Sequence, residues 1–243
     1  MREYLKESKT PFHVYNRGTE KRLIFTDYAE YCRFLFLMWV CRIGRPEGHI
    51  SDRNDVIEAA EAILSGIDPN SKLYSKEAEE PLVDFVSWNL EPNHFHFLLV
   101  STVEGGIAKY MSKLSNAYTK YFNVRHNRNG RLFQSSYQSI EVKEPQYLYN
   151  LVRYINLNHL ELVEPLWKEG EIKNKTMARE FTDSYYWSAH PDFLGIRNSL
   201  LVDKKTASDI LEGKFTEKGF DGYRPIIDQF LPSISSLGRY VIE

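Results

Sequence analysis

Bulky and polar residues alternate along 11–17 in the period-two pattern of a half-buried strand, and Gly18 ends it. Asp27 followed by Glu30 has the spacing of a helix capping pair. Tyr31, Leu35, Met38 and Trp39 then recur at helical intervals and predict a first helix to about Arg42. From 45 to 81 the pattern becomes polar and acidic, with one short helix expected over 56–64, as an insertion between core elements would read. The runs 83–90 and 94–100 are strand-like and are separated by Glu91-Pro92-Asn93, a turn-forming tripeptide, so they predict an antiparallel hairpin. Ile107, Tyr110, Met111, Leu114, Ala117, Tyr121 and Phe122 form the clearest helical stripe. A strand over 135–142 follows, and Glu144-Pro145 opens a third helix over 146–162, proline being well tolerated at a helix start. Beyond Trp167 the chain turns polar and irregular, with short helices expected at 203–213 and 223–230.

The order β-α-β-β-α-β-α describes an α+β, ferredoxin-like fold, an antiparallel sheet with helices packed on it. The division expected is one domain over 1–165, carrying the acidic insertion at 45–81, and a C-terminal helical appendage over 166–243 whose role the residues do not reveal.

With 243 residues and 42% hydrophobic content the chain can bury a real core. The longest apolar run, 34–40, is far short of the roughly 20 residues that span a bilayer, and 1–10 lacks the apolar stretch of a signal peptide. A soluble, cytoplasmic protein without a membrane partner is expected. Cys32 and Cys41 belong to no CxxC pair, which excludes a disulfide framework and a zinc ribbon. The net charge of −2 argues against a global positive field for coating duplex DNA. Its distribution is uneven, however. Between 105 and 160 eight basic residues face Glu141 and Glu144 alone, whereas 45–81 holds nine acids against four bases.

His94 and His96 are two apart on a predicted strand, so both imidazoles project from one face while Phe95 and Phe97 occupy the other. Such a pair suits a divalent ion, and it equally suits two histidines bonded to neighbours on a polar strand face. Tyr154 and Asn158, four apart, share one face of the third helix, and Leu148, Val152 and Ile155 lie on another that can meet the sheet. A nucleophile and an oxygen donor would then be presented together. Taken singly, Tyr154 is one of 16 tyrosines and reads as readily as a core aromatic.

Four groups of residues resemble one family in one order. They are His13-Val14-Tyr15-Asn16-Arg17-Gly18, then Pro92-Asn93-His94-Phe95-His96-Phe97-Leu98-Leu99, then Tyr118-Thr119-Lys120-Tyr121-Phe122-Asn123 with Gly130-Arg131-Leu132-Phe133-Gln134, then Val152-Arg153-Tyr154-Ile155-Asn156-Leu157-Asn158. The family is the REP-associated tyrosine transposases, within the insertion-sequence-200-like group of HUH transposases. The likeness covers 11–163 without the insertion, and Tyr185-Tyr186-Trp187-Ser188 resembles a short aromatic motif that follows the catalytic domain there. Two departures are the acidic insertion and His159, which stands where relatives often have proline.

The resemblance implies an HUH endonuclease fold in which His94, His96 and Asn158 hold Mg²⁺ or Mn²⁺ and Tyr154 is the nucleophile. It implies metal-dependent cleavage and joining of single-stranded or hairpin DNA at REP-like repeats through a 5′-phosphotyrosine, by a monomer or homodimer. The ion would neutralise phosphate charge that otherwise repels a phenol with pKa near 10. Lys113, Lys120, Arg125, Arg128 and Arg131 are candidates to follow phosphates, Tyr137 or Phe133 to stack on bases, and Asn16 and Arg17 to read the hairpin or brace the site. The basic residues also fit a solvated helix face. Two competing functions remain: a non-cleaving regulator of hairpin DNA or RNA derived from such a transposase, and an HxH metallohydrolase that makes no use of Tyr154.

Overall fold

The protein is described by a computed structural model over residues 10–46, 53–69, 73–77, 80–216 and 218–224. The expectations for 1–9, for parts of the acidic insertion and for most of the helix at 223–230 lie outside the described residues.

Four strands form the central sheet: β1 (Pro11–Arg17), β4 (Val83–Glu91), β5 (His94–Ser101) and β6 (Gln138–Glu141), in the order β4-β5-β1-β6. Every neighbouring pair is antiparallel, with His96 opposite Tyr15 and Asn89, and His94 opposite Arg17 and Glu91. This is the expected ferredoxin-like arrangement. The Pro92-Asn93 turn is held from outside. Its carbonyls accept from Gly18 N at 2.8 Å and from Ile24 N and Phe25 N at 2.7 and 3.0 Å, so the loop after β1 grips the hairpin tip. Gly18 is needed there, because a Cβ would collide with the Arg22 carbonyl.

On one face lie α1 (Tyr28–Ile43) and α3 (Gly106–Arg125). Asp27 caps α1 by accepting from Glu30 N at 3.1 Å, and Phe34 packs against Phe95, Phe97 and Tyr118 with ring centroids 5.3, 6.4 and 4.8 Å away. Cys32 and Cys41 are free and buried in α1. The described residues of the insertion gather around this helix. Its α2 (Arg53–Leu64) packs on α1, and the short strands β2 (Gly44–Pro46) and β3 (Tyr74–Lys76) pair antiparallel. With the sheet on one side and α2 on another, α1 is buried nearly all round, which is why its apolar stripe is broad.

The opposite face carries α4 (Pro145–Leu157), anchored through a buried bond from Ser87 Oγ to Asn156 Oδ1 at 2.8 Å. Two elements are shorter than expected. The third helix is α-helical only to Leu157 and tightens into a 3-10 turn over Asn158–Leu162, and the strand expected at 135–142 pairs only over Gln138–Glu141. In the second case only Phe12 to Tyr15 of β1 face it across the ladder, leaving Ser135 to Tyr137 without a strand partner.

The described residues beyond 166 lie against the sheet. After α5 (Lys175–Ser184), the chain runs along the outer edge of β4. Leu90 N donates to Trp187 O and Ala189 N to Trp88 O, both at 2.8 Å, and Asp203 N donates to Phe85 O at 2.8 Å before α6 (Lys204–Ile210) begins. The aromatic segment 185–188 thus covers groups that would otherwise form an open sheet edge. Arg197 locks the return. It donates to Asp192 Oδ2 from Nε at 3.0 Å and from Nη2 at 2.6 Å, donates to the carbonyls of Tyr186 and Ser188, and lies 5.3 Å from the Trp88 ring centroid. Among the described residues no helix is long and apolar enough to cross a membrane.

Asp192 is 5% exposed, so removing its partner strands a buried carboxylate. Arg197→Ala is expected to lower unfolding free energy by about 3 kcal/mol, read from the midpoint and slope of urea denaturation.

Candidate active site

Strand alternation assembles a polar layer on the α4 face of the sheet. By register β1 contributes His13, Tyr15 and Arg17, β5 contributes His94 and His96, and β4 contributes Ser87, Asn89 and Glu91. Asn16, one residue out of phase with Arg17, belongs to the other face. Its amide donates to Ser135 O at 3.1 Å and its Oδ1 accepts from Arg17 N at 2.9 Å, a bracing role for the strand end.

Each imidazole is oriented by a neighbour. His94 Nδ1 donates to Asn93 Oδ1 at 2.6 Å, which leaves its Nε2 with a free lone pair. That Nε2 stands 3.1 Å from Asn158 Nδ2 and 3.4 Å from Glu91 Oε1. His96 Nδ1 and His13 Nε2 share one proton across 2.9 Å. The two rings of the HxH pair are 5.1 Å apart and nearly perpendicular.

Tyr154 completes the layer from α4, where the buried residues Leu148, Leu151, Val152 and Ile155 hold the helix down. Its ring meets His96 edge-on at 5.5 Å and His13 at 6.3 Å, and it stacks on Trp167 at 6.2 Å. Lys168 Nζ lies 5.6 Å from the same ring and pairs with Glu161 at 2.6 Å. His94 and His96 from β5 therefore meet Tyr154 and Asn158, distant in sequence, in one buried polar cluster.

Burial dominates the electrostatics. It pushes the pKa of His13 and of His94 down to about 3, and that of His96 well below its ordinary value, so all three rings are neutral at physiological pH. For His94 the charges of Arg17 and Lys168 act in the same direction. The Glu91 carboxyl is pushed up to about 8, chiefly by burial and then by Glu161, with Lys168, the Asn158 bond and Arg17 opposing. Burial, aided by Glu91, likewise raises the Tyr154 phenol, and Arg17 opposes the rise.

Several residues expected to meet DNA are elsewhere. Lys113, Lys120 and Arg125 belong to α3, on the phenylalanine side of the sheet. Lys113 Nζ donates to Gly44 O at 2.9 Å and pairs with Glu77 at 2.5 Å, and Arg125 is ion-paired with Asp27 and Glu30. Lys120 and Arg131 are exposed, Arg128 lies over the Phe122 ring at 5.6 Å, and Tyr137 is half-buried against the core. Arg17 alone of the basic set shares the histidine face, and its Nε is buried with no hydrogen-bond partner. His13, Glu91, Trp167 and Lys168 join this cluster without having been expected there. The β1 alternation carries a signal for His13, but 167–168 has no periodicity to flag it. Among the described residues no three His, Cys, Asp or Glu side chains form a ready-made ligand cluster.

Residues 68–158 match the family described as IS200-like transposases. No curated protein matches the chain. A solved structure described as a REP-associated tyrosine transposase bound to a REP hairpin is similar at 12% identity, covering 76% of this chain and 79% of that one with a TM-score of 0.38. The matched segment runs from before β3 through β4, β5, α3 and β6 to the end of α4, and so includes both histidines, the tyrosine and Asn158.

Proposed function

We propose that this chain cleaves and rejoins single-stranded or hairpin DNA, such as REP-like repeats, through a 5′-phosphotyrosine on Tyr154, with a divalent cation held by His94, His96 and Asn158. The observation that carries the reading is the convergence of Tyr154 from α4 and of His94 and His96 from β5 on one polar face, inside the segment that matches the transposase family. The donors suit such a cation. Both imidazoles stay unprotonated, His94 Nε2 points its lone pair toward Asn158, and Asn158 Oδ1 is buried without a hydrogen-bond partner. When bound, Mg²⁺ or Mn²⁺ would offset the negative charge of the phosphate oxygens and favour departure of the 3′-oxygen.

The remaining chemistry is the chain's own. Trp167 fixes the plane of the Tyr154 ring, and His96 and His13 set its edges, so the phenol is oriented before DNA arrives. Attack forms the bond from Tyr154 Oη to phosphorus and breaks the bond to the 3′-oxygen, and the phenolic proton ends on that oxygen. The phosphodiester energy is conserved, so a 3′-hydroxyl can reverse the step and join a strand without ATP. Arg17 opposes the upward shift of the phenol and offers its unpartnered Nε to a phosphate. Tyr154 is 5% exposed, so the turn at Trp167–Glu169 that lies against its ring is the part of the wall that gives way to DNA.

Incubation with hairpin oligonucleotides and Mn²⁺ is expected to yield a covalent protein–DNA adduct on a denaturing gel. Tyr154→Phe should lose the adduct and keep binding. Binding by the unmodified chain with no adduct would instead indicate the non-cleaving regulator. A second measurement separates the basic residues. In the slope of log affinity against log salt for single-stranded DNA, Arg17→Ala should remove about 0.7, the value of one phosphate contact. Lys113→Ala should leave it unchanged, because that ammonium is already paired with Glu77 and Gly44.

A further inference from the structure

Glu91 ends β4 at the hairpin turn. It is 2% exposed. Its Oε1 accepts from Asn89 Nδ2 at 3.0 Å and from Asn158 Nδ2 at 2.5 Å, and stands 3.4 Å from His94 Nε2. Two donor atoms each about 2.1 Å from one divalent ion are about 3.0 Å apart at a right angle and about 3.4 Å apart at a tetrahedral one. The His94 and Glu91 atoms meet that condition.

The Asn158 amide explains why the pair is stable as it stands. Its NH₂ group touches both acceptors, His94 Nε2 at 3.1 Å and Glu91 Oε1 at 2.5 Å, and so puts partial positive charge where an ion would put a full one. The other end of the amide, Oδ1, is buried and unpartnered, which is costly unless something positive meets it. Turning the amide over withdraws the NH₂ and brings Oδ1 to the side of the two acceptors, converting a competing donor into a third ligand atom. Asn89, whose amide holds the carboxylate in place, is itself fully buried beside His96 in the sheet register.

From this geometry we propose that Glu91 is a carboxylate ligand of the divalent cation, beside His94, His96 and a reoriented Asn158. The inference rests on the metal-dependent reading above. Imidazoles alone make a weak site for a hard cation, whereas an added carboxyl oxygen, giving up its proton as the ion binds, raises affinity and shifts preference toward Mn²⁺ and Mg²⁺.

The test is Mn²⁺ titration of the full chain without DNA, by calorimetry and water-proton relaxation, for the unmodified protein, Glu91→Gln and His94→Gln. Glu91→Gln keeps the side-chain length and an oxygen for the Asn89 and Asn158 amides. It should weaken Mn²⁺ binding by about tenfold or more and leave the bound ion with one additional water. Unchanged affinity and hydration in Glu91→Gln, with binding lost in His94→Gln, would overturn the carboxylate ligand and leave the metal reading standing. Absence of Mn²⁺ binding in the unmodified chain would overturn both. Should Glu91→Gln fail to fold, electron–nuclear double resonance on the unmodified, Mn²⁺-loaded chain labelled with ¹³C-carboxyl glutamate decides the matter. A resolved carboxylate coupling is expected, and its absence refutes the ligand.

Discussion

The pleat of β5 is the constraint on which the rest depends. Successive side chains of a strand point to opposite faces, so Phe95 and Phe97 enter the core beneath α1 and α3 while His94 and His96 enter the polar layer beneath α4. A slip of one residue would put both imidazoles in the apolar core and both phenylalanine rings in the buried polar layer. Register is held on both sides, by β4 through the Pro92-Asn93 turn and by β1. The turn carbonyls are themselves bonded to the loop that follows β1. The phenylalanines therefore stabilise the fold and, by the same geometry, aim the histidines.

That polar layer is expensive to bury. It contains three neutral histidines, a carboxyl group and two asparagine amides, all buried. Most of their hydrogen-bonding capacity is met inside the layer: His13 with His96, His94 with Asn93 and Asn158, Glu91 with Asn89 and Asn158. The exceptions are informative. Asn158 Oδ1, Asn89 Oδ1 and Arg17 Nε are buried without partners, and two of the three belong to residues beside His94. Unmet buried polar groups cost stability. Burial also keeps the imidazoles in the state that can donate a lone pair.

The two faces of the sheet divide the work. The α1–α3 face is apolar, and its outer basic residues are drawn into ion pairs with Asp27, Glu30 and Glu77, part of the acidity coming from the inserted segment. The α4 face gathers Arg17 and Lys168 around Tyr154. The positive charge around Tyr154 is thus not the abundant charge of α3. At the remaining edge, the segment from Tyr185 to Val202 caps β4, so a stretch distant in sequence protects the strand that carries Asn89 and Glu91.

The sequence by itself determined the framework. Period-two runs located β1, β4 and β5, the helical stripe located α3, the Asp27 capping pair marked the start of α1, and the spacings put His94 with His96 and Tyr154 with Asn158 on common faces. These are local properties, set by backbone geometry over a few residues, and they survive folding unchanged. What only the tertiary structure decided is which faces meet. Tyr154 comes to His96 because α4 crosses the sheet on the side away from α1 and α3, and Glu91 and His13 join because antiparallel register sets them near His94 and His96. The lysines of α3 are separated from the site by the full thickness of the sheet, although the chain places them between the histidines and the tyrosine. Trp167 and Lys168 cover the Tyr154 ring from a segment with no periodicity at all. Long-range pairing of this kind arises from the burial of apolar surface over the whole domain, which no short window of residues contains.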